Sequence, residues 1–393
     1  MIIMDGEYHK KQDYSKFRPN GYPVRHRRKV PFEPSLSLDI RYRIIIRRIR
    51  ELDRELDGFI LSSSDYLDLI SEAFSDNIHW TTRIEGNDLS LDEVRRLTTR
   101  FTNGEPIETR NGPVQEIVNH LYSLFAKKEF GLPWNISNLE NTHRTLMDGV
   151  REGIVPGKIR DFDVSAIGHD GTEYFIACPS AGIRAELESL LDWLNTSPYD
   201  ELITATIFFH EFESIHPFED GNGRTGRTLF RILLQELGLK NCKLCKFEKE
   251  MLSDSSTYYD LMAYTDSTGI YSQLVMYVAE SLLEAYEKAV DTFGARDLLK
   301  GMDENSRLIV QRAKNTKSFT FNDAIRWIPG LGVQSLRLYL DKLTEMGILE
   351  KRGRTKGLRY SFKDPLRELR YSLNAKESGT EIIDRTDVVS KSH

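Results

Sequence analysis

Apolar residues recur at helical spacing along most of the chain. Ile44, Ile45, Ile49, Leu52 and Leu56 line one face of a predicted helix over about 40–56. A second helical run covers about 66–85 and stops at Gly86, a residue suited to the left-handed turn that ends helices. Ser90-Leu91-Asp92-Glu93 reads as a capping box opening a third. Pro113 sits at the start of a fourth, followed by Ile117, Leu121, Leu124 and Phe125 on one face. Further helices are expected at about 137–147, 181–195, 200–215, 224–237, 256–262 and 271–289. One stretch departs from this period. Ile167 and Tyr174-Phe175-Ile176 flank Gly168-His169-Asp170-Gly171, which predicts a β-hairpin over about 164–179. After Asp297 the pattern shortens into helices at about 303–313, 321–328 and 333–346. Strand-like runs at 348–351 and 358–362 then flank Arg352-Gly353-Arg354-Thr355-Lys356-Gly357.

The expected fold is mainly α with one hairpin, followed by a small helix-and-strand unit. Residues 1–35, interrupted by Pro19, Pro23, Pro31 and Pro34, read as an extended arm. A helical region follows over 36–110, then a larger domain over 111–295 and the small unit over 296–363. The remainder, 364–393, is a tail that is polar and expected to be disordered from Asn374. No repeat of fixed period is present.

Composition narrows the class. In 393 residues, 54 Lys/Arg against 60 Asp/Glu give a net charge of −6, too small for either sign to dictate a partner. No apolar run approaches the roughly 20 residues of a membrane helix, and the acidic N-terminus lacks a signal core. Three cysteines exclude a disulfide scaffold and suggest a reducing, cytoplasmic setting. Charge is nonetheless uneven: residues 1–50 carry thirteen bases against five acids. Such an arm either binds nucleic acid or an acidic surface, or docks on its own acidic body.

The richest chemistry lies in His216-Pro217-Phe218-Glu219-Asp220-Gly221-Asn222-Gly223-Arg224-Thr225-Gly226-Arg227, between two helix-patterned segments. His216 is a candidate general base. Gly221-Asn222-Gly223 at a helix start offers backbone N–H groups and a positive dipole end to a phosphate. Arg224 and Arg227 lie one turn apart and can both reach a polyphosphate. Asp220 is a hard oxygen ligand suited to Mg²⁺. Together these describe phosphoryl or nucleotidyl transfer. Gly221-x-Gly223-x-x-Gly226 also matches a dinucleotide fingerprint, but a helix precedes it where a strand is required. His210-Glu211 begins like a zinc-protease motif, yet Ser214 stands where the second histidine belongs. Cys242 and Cys245 form a single pair, insufficient for zinc and suited to packing. His79, His120, His143 and His210 fall on helical segments as structural groups. His169 falls at the hairpin tip, where it either touches a target or faces water.

The central stretch resembles the Fic motif, His-x-Phe-x-Asp/Glu-Gly-Asn-Gly-Arg-x-x-Arg, at every specified position. Pro156-Gly157-Lys158-Ile159-Arg160, the hairpin and Tyr258-Tyr259 are similar to flanking landmarks of that family, so the resemblance covers roughly 30–290. It implies a Fic helical bundle with a hairpin flap, and transfer of AMP from ATP to a hydroxyl of a target protein, releasing pyrophosphate. His216 would deprotonate the target Ser, Thr or Tyr. Asp220 would hold Mg²⁺. The Gly221–Gly223 amides, Asn222 and Arg224 would cradle phosphates, with Arg227 on the γ-phosphate and Phe218 as a buried wedge. The hairpin would pair with the target backbone. Tyr258 and Tyr259 are either part of an adenosine pocket or ordinary core aromatics.

Thr81-Thr82-Arg83-Ile84-Glu85-Gly86 resembles the family's inhibitory motif, Ser/Thr-x-x-x-Glu-Gly/Asn, here N-terminal to the catalytic domain on the helix of about 66–86. Thr81 and Glu85 share a helix face, and the resemblance implies that Glu85 pairs with Arg227. In some relatives the same glutamate supports removal of AMP, so a de-AMPylase using the same site is the alternative reading. The C-terminal unit resembles a winged helix-turn-helix. Residues 318–363 carry nine bases against four acids, with Gln334, Ser335 and Arg337 on the third helix. That suits DNA, making a DNA-binding regulator with an ancillary Fic domain a further alternative, or else dimerisation or target docking. Partners admitted by this reading are a target protein bearing a hydroxyl, the chain itself, DNA and a second copy in a homodimer, with no membrane.

Overall fold

The computed structural model describes residues 11–27, 29–34, 36–125, 130–167, 171–354 and 357–366. His169, Lys356 and the tail from Asn374 lie outside the described residues. The chain divides into two compact units, one of residues 1–57 and 71–290, the other of 58–70 and 291–393.

In the first unit, α1 (Ile40–Gly58) buries Tyr42, Ile45, Ile46, Ile49, Leu52 and Leu56. Ile46 rather than Ile44 completes that stripe, because the helical period carries 42, 45, 46 and 49 onto one side. Helix α2 (Ser63–Arg83) follows. Helix α3 (Leu91–Thr102) opens on the predicted box, with Ser90 and Glu93 each bonding the other's backbone N–H. Helices α4 (Gly112–Phe125), α5 (Ile136–Met147) and α6 (Ile183–Thr196) surround the pair at the centre, α7 (Glu201–Ile215) and α8 (Asn222–Leu237). Helix α7 is buried on every face, including Phe208, Phe209 and Phe212. Each such ring contributes roughly 1.5–3 kcal/mol on burial, so the hairpin of α7 and α8 is a rigid base for the loop between them. Helices α9 (Phe247–Leu252), α10 (Ser255–Thr268) and α11 (Ser272–Ala295) close the bundle.

Strand β1 (Val24–Arg25) belongs to the arm, which is not merely extended: it pairs in parallel with β3 (Glu173–Ile176). Strand β2 (Ser165–Ile167) pairs antiparallel on the other side of β3, giving the order β1-β3-β2. The arm's bases meet acids of the same unit: Lys29 Nζ with Glu211 at 2.6 Å, Lys11 with Glu284 at 2.6 Å and Arg18 with Asp260 at 3.0 Å. Tyr14, Val24 and Phe32 of the arm are buried.

The second unit contains α12 (Glu304–Lys314), α13 (Phe321–Trp327), α14 (Val333–Glu345) and the antiparallel pair β4 (Leu349–Arg352) and β5 (Arg359–Phe362). A bridge from Phe319 to Tyr360 ties the start of α13 to β5. Its core gathers Ile309, Val310, Ala324, Leu336, Leu340 and Leu343 with Ile60. No helix among the described residues is long and apolar enough to cross a membrane.

Candidate active site

The turn from α7 into α8 is built by backbone geometry first. His216 caps α7 in the left-handed conformation, with φ 52°, the one positive φ outside glycine among the described residues. Such strain in a non-glycine residue persists only where its surroundings enforce it. Arg160, 3% exposed, supplies that enforcement. Its Nε donates to the His216 carbonyl at 2.7 Å, and its terminal nitrogens donate to the carbonyls of Phe162, Cys178 and Ile215. Its backbone N–H donates to the Pro217 carbonyl at 2.9 Å. One buried guanidinium therefore holds the end of α7 and the base of the hairpin.

The loop beyond is pinned from below. Phe218 is fully buried and stacks on the His143 ring, with centroids 3.9 Å apart. The Gly157 N–H donates to His143 Nδ1 at 2.7 Å, so Nε2 carries the proton and donates to the Asp220 carbonyl at 2.8 Å. Burial holds this imidazole down at about 4, neutral at physiological pH. The Asn222 carboxamide accepts from the Phe218 N–H and donates to the Phe218 carbonyl, each at 2.8 Å. The Asn222 side chain thus closes the loop; only its backbone N–H is left for the nest. Gly221, at φ 79°, leaves no room for a Cβ against Met147.

The charged groups converge at the start of α8. Arg224 donates to Asp220 at 2.6 Å and to Glu116 of α4. Asp220 also accepts from Arg151 at 3.2 Å. Burial alone would raise the Asp220 carboxyl, but Arg224, the Gly221 N–H and Arg151 together bring it below its ordinary value. It is ionised, partly exposed and a hard oxygen donor, so it fits a Mg²⁺ ligand. Arg227 is buried and enclosed by the end of α2: Nε donates to Thr81 Oγ1 at 2.6 Å, and Nη2 to the Thr81 carbonyl at 2.9 Å and Glu85 Oε1 at 2.7 Å. Glu85 lies in the turn just past α2, which ends at Arg83, with Gly86 at φ 95°. Its carboxylate rests on Gly223: a Cβ there would collide with Glu85 Oε1. The Glu85 carboxyl group therefore covers Gly223 in the first turn of α8.

His216 lies beside this cluster. Its Nδ1 faces the Glu213 carbonyl at 3.2 Å, an acceptor that places the ring proton on Nδ1 and leaves the lone pair on Nε2. Burial lowers its pKa below 6.5. The two tyrosines differ. Tyr258 is 2% exposed and packed by Arg227, whereas Tyr259 is 52% exposed. The structure brings together Thr81, Glu85, Arg227 and Gly223, and separately Asp220 and Arg224.

Sequence reasoning passed over Glu116, Glu213 and the supporting role of His143. Glu213 Oε1 is buried against Gly226 and lacks a hydrogen-bond partner. Burial, opposed by Arg227 and reinforced by Glu85, raises its carboxyl to about 8. Its sequence context offered no signal, because His210, Glu211 and Ser214 are polar neighbours on the same helix.

Residues 133–234 match the Fic/DOC family. The chain carries a Fic domain. The protein adenylyltransferase fic-1 of Caenorhabditis elegans is 26% identical over 203 residues, covering 50% of this chain and 38% of the relative. The protein adenylyltransferase Fic of Drosophila willistoni is 30% identical over 176 residues, covering 42% and 33%. The chain thus spans well under half the length of these relatives. A Fic family protein from Desulfovibrio desulfuricans G20 superposes with a TM-score of 0.56 at 23% identity, over 84% of this chain and 98% of the other. That likeness reaches beyond the Fic domain in fold.

Proposed function

We propose that this Fic domain transfers AMP from ATP to a Ser, Thr or Tyr hydroxyl of a protein, the chain itself included, and that Glu85 restrains it. The observation that carries this reading is the Glu85 carboxylate, held by Arg227 and seated on Gly223 in the nest. A phosphate belongs there by dipole and N–H geometry. With Glu85 in place, Arg227 cannot take the γ-phosphate, and the α-phosphate is misplaced for in-line attack.

Once Glu85 withdraws, the nest amides at Gly221–Gly223, Arg224 and Arg227 bind the triphosphate. His216 Nε2, carrying the lone pair, accepts the proton of the target hydroxyl. The hydroxyl oxygen bonds to the α-phosphorus, the bond to the β-phosphate oxygen breaks, and pyrophosphate leaves. Mg²⁺, held by Asp220, would supply charge neutralisation on the phosphates. Arg160 and His143 hold His216 and Asp220 where these roles require them. A target strand would add to β2, because β1 occupies the other edge of β3.

The test is incorporation of labelled AMP from ATP. Glu85→Gly should label protein strongly and Glu85→Gly/His216→Ala should not. Equal labelling by wild type and Glu85→Gly would remove the restraint, and labelling that survives the double substitution would remove His216 as base.

For the C-terminal unit we read a winged helix used for docking on protein. Val333 and Leu338, 49% and 71% exposed, stand on α14, while Lys351 pairs with Asp341 and Arg352 with Glu350. A salt-sensitive gel shift of duplex DNA, reduced in Arg352→Ala/Arg354→Ala, would reverse that reading in favour of DNA.

A further inference from the structure

Three side chains of different character meet where the arm crosses the hairpin base. His26 follows β1, Cys178 follows β3, and Glu186 lies in the first turn of α6. Their ligand atoms all lie within 4.8 Å of one another, with His26 Nε2 3.8 Å from Glu186 Oε1. Cys178 and Glu186 are 2% and 3% exposed, and the His26 side chain is 1% exposed.

Hydrogen bonds behind these groups set their orientation. Ser214 donates its only hydrogen to Asp266 at 2.6 Å. Its oxygen, 2.8 Å from His26 Nδ1, must therefore accept from that ring nitrogen. Nδ1 is thus the donor to Ser214, which leaves Nε2 as the ring nitrogen open to a ligand. That Nε2 is buried without a hydrogen-bond partner and faces the carboxylate. Glu186 in turn accepts from the Lys29 backbone N–H at 2.9 and 3.1 Å, which fixes its plane. The Lys29 side chain itself turns to Glu211, with Nζ at 2.6 Å. An imidazole nitrogen, a carboxylate and a sulfur thus converge in a buried site, the three kinds of donor that a metal ion gathers.

We propose that His26, Cys178 and Glu186 form a binding site for a divalent transition-metal ion of borderline softness, such as Zn²⁺. Imidazole nitrogen, thiolate and carboxylate are the donors such an ion takes. The Nδ1–Ser214–Asp266 relay and the Lys29 N–H are the outer hydrogen bonds that orient metal ligands. Donors around an ion bonded at roughly 2.0–2.3 Å lie roughly 3.2–3.8 Å apart. The His26–Glu186 pair is already at that spacing, and the sulfur closes by no more than about 1 Å. Binding forms the metal–sulfur bond and releases the Cys178 proton to solvent. The ion cross-links the arm, the hairpin base and α6, fastening β1 along the edge of β3.

The experiment uses the full-length reduced chain, stripped of metal with a chelator and titrated with Co²⁺. One equivalent should bind, giving the charge-transfer absorption of a cobalt–thiolate bond. Cys178→Ser should abolish that band and His26→Ala should weaken binding more than about tenfold. Zn²⁺ should raise the unfolding temperature of the wild type and not of Cys178→Ser. Circular dichroism checks that each variant is folded, and Glu186→Gln, nearly isosteric, serves if Cys178→Ser is not. A wild-type chain that binds no cobalt, or a band that persists in Cys178→Ser through Cys242 and Cys245, overturns the site.

Discussion

His216 is neutral at pH 7 because burial disfavours its imidazolium, and its proton sits on the nitrogen that faces the Glu213 carbonyl. A base with a lowered pKa keeps its lone pair as the solution is acidified. Transfer by the Glu85→Gly chain should therefore hold its rate down to its ordinary value of 6.5 and fall only below it. His216→Ala should cost about 100- to 10,000-fold in rate with ATP affinity nearly unchanged. Labelled-AMP incorporation across pH checks both, and an acid limb above 6.5 would place the base elsewhere. Glu213 gives a second residue-scale prediction, in stability. Its carboxyl titrates at 4.5 in the unfolded chain and at about 8 when folded. The folded state holds the proton between those values, so this group's stabilisation is full below 4.5 and is lost as pH rises to about 8. The unfolding temperature of the wild type should decline across that window, and Glu213→Gln should flatten the decline. Parallel slopes for the two proteins would show that Glu213 is ionised in the fold.

The end of α2 and the start of α8 act on each other as elements. Thr81 and Glu85, one turn apart, reach around the Arg227 guanidinium of α8. Removing the two partners has unequal consequences. Glu85→Gly frees Arg227 and the Gly223 face together, whereas Arg227→Ala deletes the proposed phosphate ligand along with the pair. Labelling should rise only in the first variant; a rise in both would mean that Arg227 does not bind the nucleotide. Losing one partner of a buried pair costs about 3–5 kcal/mol. Glu85→Gly should cost less, because Arg227 keeps both Thr81 acceptors and the Glu85 side chain is already 25% exposed. Activities are therefore compared per folded molecule, with the folded fraction taken from urea melts.

At the scale of the whole molecule, chain order and packing order part company. Residues 58–70 cluster with 291–393 rather than with the helices beside them in sequence. Ile60 is 2% exposed within that core, and its N–H donates to Asp297 at 3.0 Å. Ending the chain at 295 would strip this segment of the surfaces that bury it. Limited proteolysis should then cut within 58–70 in the shortened chain and spare the intact one. Equal resistance would show that the segment needs no partner from the C-terminal unit.

Much of this was legible along the chain because its causes are local. The periodicity of α1, the Ser90–Glu93 box and the turn residues of the hairpin each depend on neighbours a few positions away. The central motif was legible for the same reason: a histidine, a glycine-rich turn, two arginines and a carboxylate occupy twelve consecutive residues. Tertiary structure alone decided which groups serve the site from a distance. Arg160 anchors His216, His143 supports Phe218, Glu116 meets Arg224, and the arm becomes a strand beside β3. None of these has a signature in spacing, because each contact joins segments tens to hundreds of residues apart and is made only when burial brings them together. The Asn222 carboxamide shows the same limit at close range. Its residue type suited a phosphate, but the tight turn presented two backbone groups of Phe218 to it first, and a buried backbone group left unpaired costs more than an exposed ligand contact gains.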